Sequence, residues 1–284
     1  MALKSVRFTK MHGIGNDYIY IDCFKQNVEN PNFLAEIMSP RRFSVGADGV
    51  ILICPSDVAD AKMRMFNMDG SEGKMCGNGV RCVGKYVYDN IVKKETLTIE
   101  TLSGIKTLNV FEENGKAKAL SVDMGKAILS CKDIPVVFDG DTMIDKEVTV
   151  DGKKYNMTAV SMGNPHAVIF MDEIDDLPLE KIGPAFENNP IFPERVNTEF
   201  VKFIDKNTLK MRVFERGSGE TFACGTGACA TVVAAVLCSK CNYNEDVTVK
   251  LIGGDLTIKY LSDGTVIMKG PAEKVYDGVY EYES

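Results

Sequence analysis

Short runs of alternating apolar and polar residues recur along this chain. Two of them, at 18–22 and 63–68, have counterparts downstream at 167–172 and 209–214. Alternation with a period of two predicts half-buried strands. Two other segments switch to helical patterning. Residues 80–88 carry apolar side chains at helical spacing, and residues 228–237 are almost wholly small or apolar, as expected of a helix enclosed by a rolled sheet. Each follows directly on a Cys-Gly-x-Gly, at Cys76 and at Cys224. The predicted order in each half is strands, one helix, then a hairpin. The polar stretches 112–116 and 139–146 predict surface loops.

The pattern repeats at the level of residues. A shift of 148 places lays Met63-Arg64-Met65-Phe66-Asn67 on Met211-Arg212-Val213-Phe214-Glu215. The same register, without a gap, lays Cys76-Gly77-Asn78-Gly79 on Cys224-Gly225-Thr226-Gly227. Farther on, Glu95-Thr96-Leu97-Thr98 meets Glu245-Asp246-Val247-Thr248 at an offset of 150. Chance likeness between Gly- and Thr-rich strands explains the last match alone, but three matches in one order imply internal duplication. The expectation is two similar halves facing one another, with a boundary near residues 125–135.

Composition narrows the class. A chain of 284 residues suits two modest domains or one large one. The hydrophobic share of 45% and charged share of 26% are ordinary for a soluble globular protein, and no apolar tract has the length of a membrane span, which argues against a membrane partner. The first residues enter an alternating pattern at once, without the apolar core of a signal peptide, so the expected location is cytoplasmic. A net charge of −7 spread over mixed-sign segments, with no basic stripe, argues against nucleic acid. Nine cysteines without export signals argue against a disulfide framework. Two histidines, His12 and His166, leave little for a His-rich metal site.

The remaining chemistry rests on sulfur. A cysteine at the start of a helix sits beside unpaired N–H groups and the positive end of the helix dipole, which favours thiolate over thiol. The glycines let a ligand approach the backbone, and successive N–H groups form a carboxylate site. Two such devices suit the inversion of a stereocentre: one thiolate removes an α-proton from one face while a thiol delivers a proton to the other. No electron-sink cofactor is needed. The plainer reading of Cys76 and Cys224 is two buried thiols, and that reading holds for Cys82 and Cys229, which lie deeper in the helices. Cys238 and Cys241 have redox or zinc-knuckle spacing, but a single pair is a weak signal. A thiol redox or metal-binding protein is the alternative from a different class.

Several motifs carry a resemblance: Lys10-Met11-His12-Gly13-Ile14-Gly15-Asn16-Asp17, Phe66-Asn67-Met68-Asp69-Gly70-Ser71, Met75-Cys76-Gly77-Asn78-Gly79-Val80-Arg81-Cys82, Gly163-Asn164-Pro165-His166, Glu194-Arg195-Val196-Asn197, and Glu215-Arg216-Gly217-Ser218-Gly219-Glu220-Thr221 running on to Cys224-Gly225-Thr226-Gly227. In this order, from about residue 6 to Tyr276-Asp277-Gly278, the chain resembles the diaminopimelate epimerase family. The resemblance implies an α/β (α+β) fold of two pseudo-symmetric domains, each a mixed or antiparallel sheet rolled around a central helix: residues 1–127 with the last strand at 274–284, and residues 128–273. It implies a homodimer without cofactor or metal that interconverts LL- and meso-diaminopimelate in lysine and peptidoglycan precursor synthesis.

Carried over residue by residue, Cys76 and Cys224 are the two bases, with His166 and Glu215 as polar neighbours assisting them. Asn16, Asn67, Asn164, Asn197, Glu215 and Arg216 hold the substrate's carboxylates and amines, and Gly77-Asn78 and Gly225-Thr226 supply helix-start contacts. His12 follows a strand and is read as satisfying a backbone group. One departure is Gly49, where many relatives carry Gln, so a side-chain contact there is absent or made differently. This leaves room for a racemase of another amino acid, such as histidine. Arg216 with Asn67 and Asn197 favours a second, distal carboxylate, since guanidinium pairs with carboxylate bidentately.

Overall fold

The computed structural model describes residues 3–283. The fold is mixed α/β: eighteen strands and four helices among the described residues. In chain order the first part contains β1 (Leu3–Gly13), β2 (Asn16–Asp22), α1 (Pro31–Met38), β3 (Gly49–Cys54), β4 (Ala61–Asn67), β5 (Glu72–Gly73), α2 (Gly77–Asn90), β6 (Thr96–Thr101), β7 (Gly104–Glu113) and β8 (Lys116–Lys126). The second contains β9 (Lys146–Val150), β10 (Lys153–Ser161), β11 (Pro165–Phe170), α3 (Leu179–Glu187), β12 (Asn197–Asp205), β13 (Thr208–Glu215), β14 (Gly219–Thr221), α4 (Gly225–Leu237), β15 (Asp246–Leu251), β16 (Gly254–Tyr260) and β17 (Thr265–Pro271). The chain closes with β18 (Glu273–Glu283). Two compact units result, residues 1–122 with 270–284 and residues 123–269.

Each unit has the same strand plan. In the first, β18 pairs antiparallel with β1, β1 with β2, β2 runs parallel to β3, and β3 is antiparallel to β4. Strand β4 then pairs antiparallel with the short β5 and parallel with β6, which forms a hairpin with β7. In the second, β9, β10 and β11 are antiparallel, β11 runs parallel to β12, and β12 is antiparallel to β13. Strand β13 pairs antiparallel with β14 and parallel with β15, and β15 forms a hairpin with β16. The segments matched at residues 95–104 and 245–254 are these two hairpins.

Helix α2 packs on β1, β2, β4, β6 and β7, and α4 on β10 to β13, β15 and β16, so each sheet wraps its helix. That is why α4 can be almost wholly small or apolar: Ala228 to Ala235 are all buried, Thr231 among them with its hydroxyl on Met211 Sδ. Close wrapping needs small residues. A Cβ at Gly84 in α2 would lie 2.6 Å from methyl carbons of Leu108 and Leu120.

The structure departs from the expected order in two places. Each unit has a second helix, α1 or α3, on the strands' other side. Both are short and proline-marked: Pro31 opens α1 behind an Asn30 cap, and Pro184 lies inside α3. Their packing on neighbouring strands supplies stability that brief, proline-bearing segments lack in isolation. The polar stretch 139–146 is also more than a surface loop, since Ser130 bridges to Thr142 and Met143 is fully buried in the second unit's outer core. Of residues 112–116, by contrast, 114 and 115 form the turn between β7 and β8 and the others pair at the strand ends.

Gly49 starts β3 directly opposite Asn67 of β4. A Cβ there would stand 2.1 Å from the Phe66 carbonyl oxygen and 3.1 Å from the Tyr18 ring. The position is therefore closed by backbone, not left vacant for a side chain. Gly49→Gln is expected to lower stability by about 1–3 kcal/mol or more through overpacking, read as a lower denaturant midpoint with an unchanged slope.

Candidate active site

Both helices of the repeat are capped by sulfur. Cys76 has an extended backbone (φ −129°, ψ 122°), and its Sγ accepts the Gly79 N–H at 3.3 Å. Cys224 has the same role before α4 (φ −115°, ψ 106°), accepting the Gly227 N–H at 3.3 Å. Sulfur thus takes the place usually held by a Ser, Thr or Asp oxygen. The glycines three residues on are sterically required. A Cβ at Gly79 would meet Ile51 Cδ1 at 2.8 Å, and one at Gly227 would meet Glu199 Oε1 at 2.6 Å and Cys224 Sγ at 3.2 Å.

In the first unit, the Cys76 thiol donates to Asn16 Oδ1 at 3.2 Å, and Asn16 Nδ2 donates to Asp48 Oδ2 at 2.7 Å. Arg41 joins Asp48 to Asp17, each at 2.6 Å, and buried Lys10 pairs with Asp17 from the other side. Burial pushes the Asp17 carboxyl up, but the hydrogen bonds and charges of Arg41 and Lys10 outweigh it and hold the group below its usual range. The Tyr18 hydroxyl bonds with Asn16 and Cys76; burial, with the sulfur and Asp48 nearby, keeps it protonated well above the ordinary tyrosine value. Asn67 Nδ2 donates to Ser71 Oγ at 3.0 Å. Asn78 turns inward, its Oδ1 accepting from wholly buried Arg81 at 2.9 Å. His12 Nδ1 accepts the Gly15 N–H at 3.3 Å, a local backbone role.

In the second unit, Thr226 Oγ1 lies 3.5 Å from Cys224 Sγ, and Glu215 accepts from the Thr221 hydroxyl. His166 is wholly buried, with Nδ1 2.7 Å from Glu199 Oε1 and Nε2 3.0 Å from Asn164 Oδ1. Asn197 is spent on backbone: its Nδ2 donates to Pro165 O at 2.8 Å and its Oδ1 accepts the Arg216 N–H at 3.0 Å. The Arg216 guanidinium donates to Glu194 O at 3.0 Å, leaving other N–H groups to a ligand. Before each cysteine a bidentate ion pair braces the turn, Arg64 with Glu72 and Arg212 with Glu220.

The helix start does not decide the charge of Cys224. Burial is the largest influence, and Glu215 and Glu199 add to it; together they outweigh Thr226 and the Gly227 N–H and push the thiol well above its ordinary value. Cys224 is therefore a thiol rather than the thiolate a helix start would favour.

Three polar residues beside the cysteines were not singled out in the sequence: Tyr18, Asp48 and Glu199. The repeat register contains a signal for two of them, since the 148-place shift sets Tyr18 on His166 and Ile51 on Glu199. Elsewhere, Cys238 Sγ lies 3.6 Å from Thr158 Oγ1, and none of the nine cysteines is in a disulfide. Among the described residues no group of three or more His, Cys, Asp or Glu side chains could hold a metal ion, and no helix is long and apolar enough to cross a membrane.

A raised thiol keeps its proton in the folded protein where an unfolded thiol, at 9.0, has lost it. Its stabilising contribution is complete below that pH and is lost as pH rises toward the folded value. Cys82 and Cys241, pushed up to about 11 chiefly by burial, act in the same direction. Melting temperature is therefore expected to fall as pH is raised above 9, and a series of thermal melts should show a shallower fall in Cys224→Ala.

The comparisons with known proteins cover the whole site. A sequence model described as diaminopimelate epimerase matches residues 8–130 and 158–275. A diaminopimelate epimerase from Methanococcus maripaludis is 56% identical over 96% of this chain and 99% of its own length. One from Bacillus cytotoxicus is 52% identical over 99% of both chains. A solved hydroxyproline epimerase from Agrobacterium vitis has a TM-score of 0.71 over 99% of this chain and 92% of that one, at 13% identity, a likeness of fold alone. With a family model spanning most of its length and relatives more than half identical, the chain belongs to the diaminopimelate epimerase family.

Proposed function

We propose that this chain interconverts LL- and meso-diaminopimelate by proton transfer at one α-carbon, with Cys76 and Cys224 as the two acid/base groups. The observation that supports this reading best is the duplicated cap: in two units of one plan, the same sulfur accepts the same glycine N–H at the start of the enclosed helix. A thiolate at one position takes the α-proton, and the thiol at the other gives its proton to the opposite face. One proton leaves and one arrives, nothing is oxidised, and the reverse reaction exchanges the roles. The thiol state of Cys224 suits the donor at the start of one direction.

The developing negative charge needs oriented donors, and stabilisation by such preorganised dipoles usually contributes more to the rate than any other effect. The backbone of Gly77-Asn78 and Gly225-Thr226, in the first turns of α2 and α4, supplies them in this proposal. Asn16 and Tyr18 attend Cys76, and Glu215 and Thr226 attend Cys224. Asn67, Asn164, Asn197 and Arg216 bind the substrate's polar ends, Asn197 partly by bracing the backbone of Arg216. His166 assists through the polar network it shares with Asn164. The family resemblance also carries the proposal of a homodimer in the cytoplasm.

Incubating the reduced protein with LL-diaminopimelate in D₂O tests substrate and mechanism together. The expected result is α-deuterium incorporation with formation of the meso isomer. Cys76→Ser and Cys224→Ser, which keep a capping oxygen, should each lose at least about 10²- to 10⁴-fold in rate. Exchange with histidine and none with diaminopimelate would transfer the mechanism to the other substrate. Arg216→Ala should cripple turnover of diaminopimelate, while Cys238→Ser with Cys241→Ser should leave it intact.

A further inference from the structure

The least expected group in the second unit is Glu199. It lies in the interior of β12, wholly buried, with Oε1 on His166 Nδ1 and Oε2 without a hydrogen-bond partner. Taking a carboxyl group out of water and leaving one oxygen unpartnered costs free energy, and packing does not require it. The repeat shows this. At the equivalent place in the first unit stands Ile51, whose Cδ1 approaches Gly79 as Glu199 Oε1 approaches Gly227. An aliphatic side chain fills the same niche in the same frame, so the carboxyl group of the second unit is there for its polarity.

Its proton can be counted. Asn164 Oδ1 can only accept, so His166 Nε2 carries a hydrogen. The 2.7 Å contact between Nδ1 and Oε1 then holds one further proton, shared between the ring and the carboxyl group. Burial lifts the Glu199 carboxyl and the histidine opposes that lift, as a shared proton requires.

We propose that Glu199 is a positioning residue for Cys224: it shares one proton with His166, locks the imidazole onto Asn164, and by its polarity beside the start of α4 sets how readily Cys224 gives up its proton. The proposal rests on the two-thiol reading for its catalytic meaning, but the dyad itself does not depend on it. Of the elements packed on α4, β12 brings Glu199 and β13 Glu215 to the cysteine, and β11 carries His166, the partner of Glu199. The other charged groups of those elements are engaged elsewhere: Lys202 with Glu173, Lys210 with Asp175, Arg212 with Glu220, Lys250 with Asp255 and Lys259 with Asp246, while Lys153, Lys154 and Asp205 are exposed. Glu199 Oε1 and Cys224 Sγ border the same point, lying 2.6 and 3.2 Å from where a Cβ on Gly227 would stand, so the carboxyl end of the dyad is what the thiol feels.

Nuclear magnetic resonance tests this in the full chain. With only two histidines, His12→Gln leaves one imidazole to observe in protein labelled at His and at Cys Cβ. The expected wild-type spectrum has a protonated Nε2 and a strongly downfield proton between Nδ1 and oxygen. In the isosteric Glu199→Gln that proton is lost and Nδ1 becomes a bare acceptor. The Cys224 titration, assigned with Cys224→Ser, should move to lower pH by about one unit, a roughly tenfold gain in acidity, while Cys76 does not move. In turnover, kcat should fall roughly tenfold or more with KM changed less than about twofold, below the about 10²- to 10⁴-fold of a group that transfers the proton itself. A wild-type spectrum without the shared proton, or a Cys224 midpoint unmoved by Glu199→Gln, would overturn the proposal. The wild-type spectrum tests the dyad even if the variant does not fold. Loss of α-proton exchange in the wild type would sink the two-thiol reading while leaving both titrations to judge the dyad.

Discussion

A sulfur atom accepting a backbone N–H at the first turn of an enclosed helix is the interaction around which each unit of this protein is arranged. For the thiol to sit there, the residue three places on must lack a side chain, and the adjoining strand must come close enough to wall in the helix start. For the helix to be enclosed, its far faces must be small or apolar, as α4 is throughout and α2 is at Val80, Val83, Gly84 and Val87. The cap itself is worth about 1 kcal/mol by analogy with oxygen caps. Its larger consequence is position: a sulfur atom fixed where the wrapped helix begins, among first-turn N–H groups.

The two units use this frame with different polar fittings. Around Cys76 the thiol is met directly, by Asn16 and Tyr18, and the charges of Lys10, Asp17, Arg41 and Asp48 form a compensated network behind them. Around Cys224 the neighbours are carboxyl groups, Glu215 and Glu199, and the place of Tyr18 is taken by His166. Negative groups beside a buried thiol hold its proton on; a tyrosine and an amide beside a thiol can share hydrogen bonds with it in either state. The backbone device is therefore the same in both units, while the polar groups set around its sulfur differ.

What surrounds the device is bracing. Arg64 with Glu72 and Arg212 with Glu220 hold the short strand that leads into each cysteine, bidentate in both units, and both pairs are partly sheltered from solvent. Pairs with that geometry order a turn more than they stabilise a fold. Gly49 works by exclusion. By letting the β3 backbone lie against the Phe66 carbonyl, it brings Asp48 within reach of Asn16.

The amino-acid sequence by itself determined the duplication, the two cysteines, the two central helices and the hairpins after them. Those features are carried by local pattern, by periodicity, glycine spacing and a register that survives an ungapped shift. Helices α1 and α3 were not legible, because short proline-bearing segments have little helical preference of their own and take their shape from the strands they cover. Nor was the direction of the Cys224 thiol. A helix start predicts a lowered proton affinity, but the outcome is the sum of burial and of two carboxyl groups from strands distant in sequence, Glu199 and Glu215. Glu199 itself reads as a polar residue of an ordinary strand. Only the tertiary structure decided that it is buried, because burial depends on which face of β12 meets α4, and that is fixed by packing across the unit rather than by its neighbours along the chain.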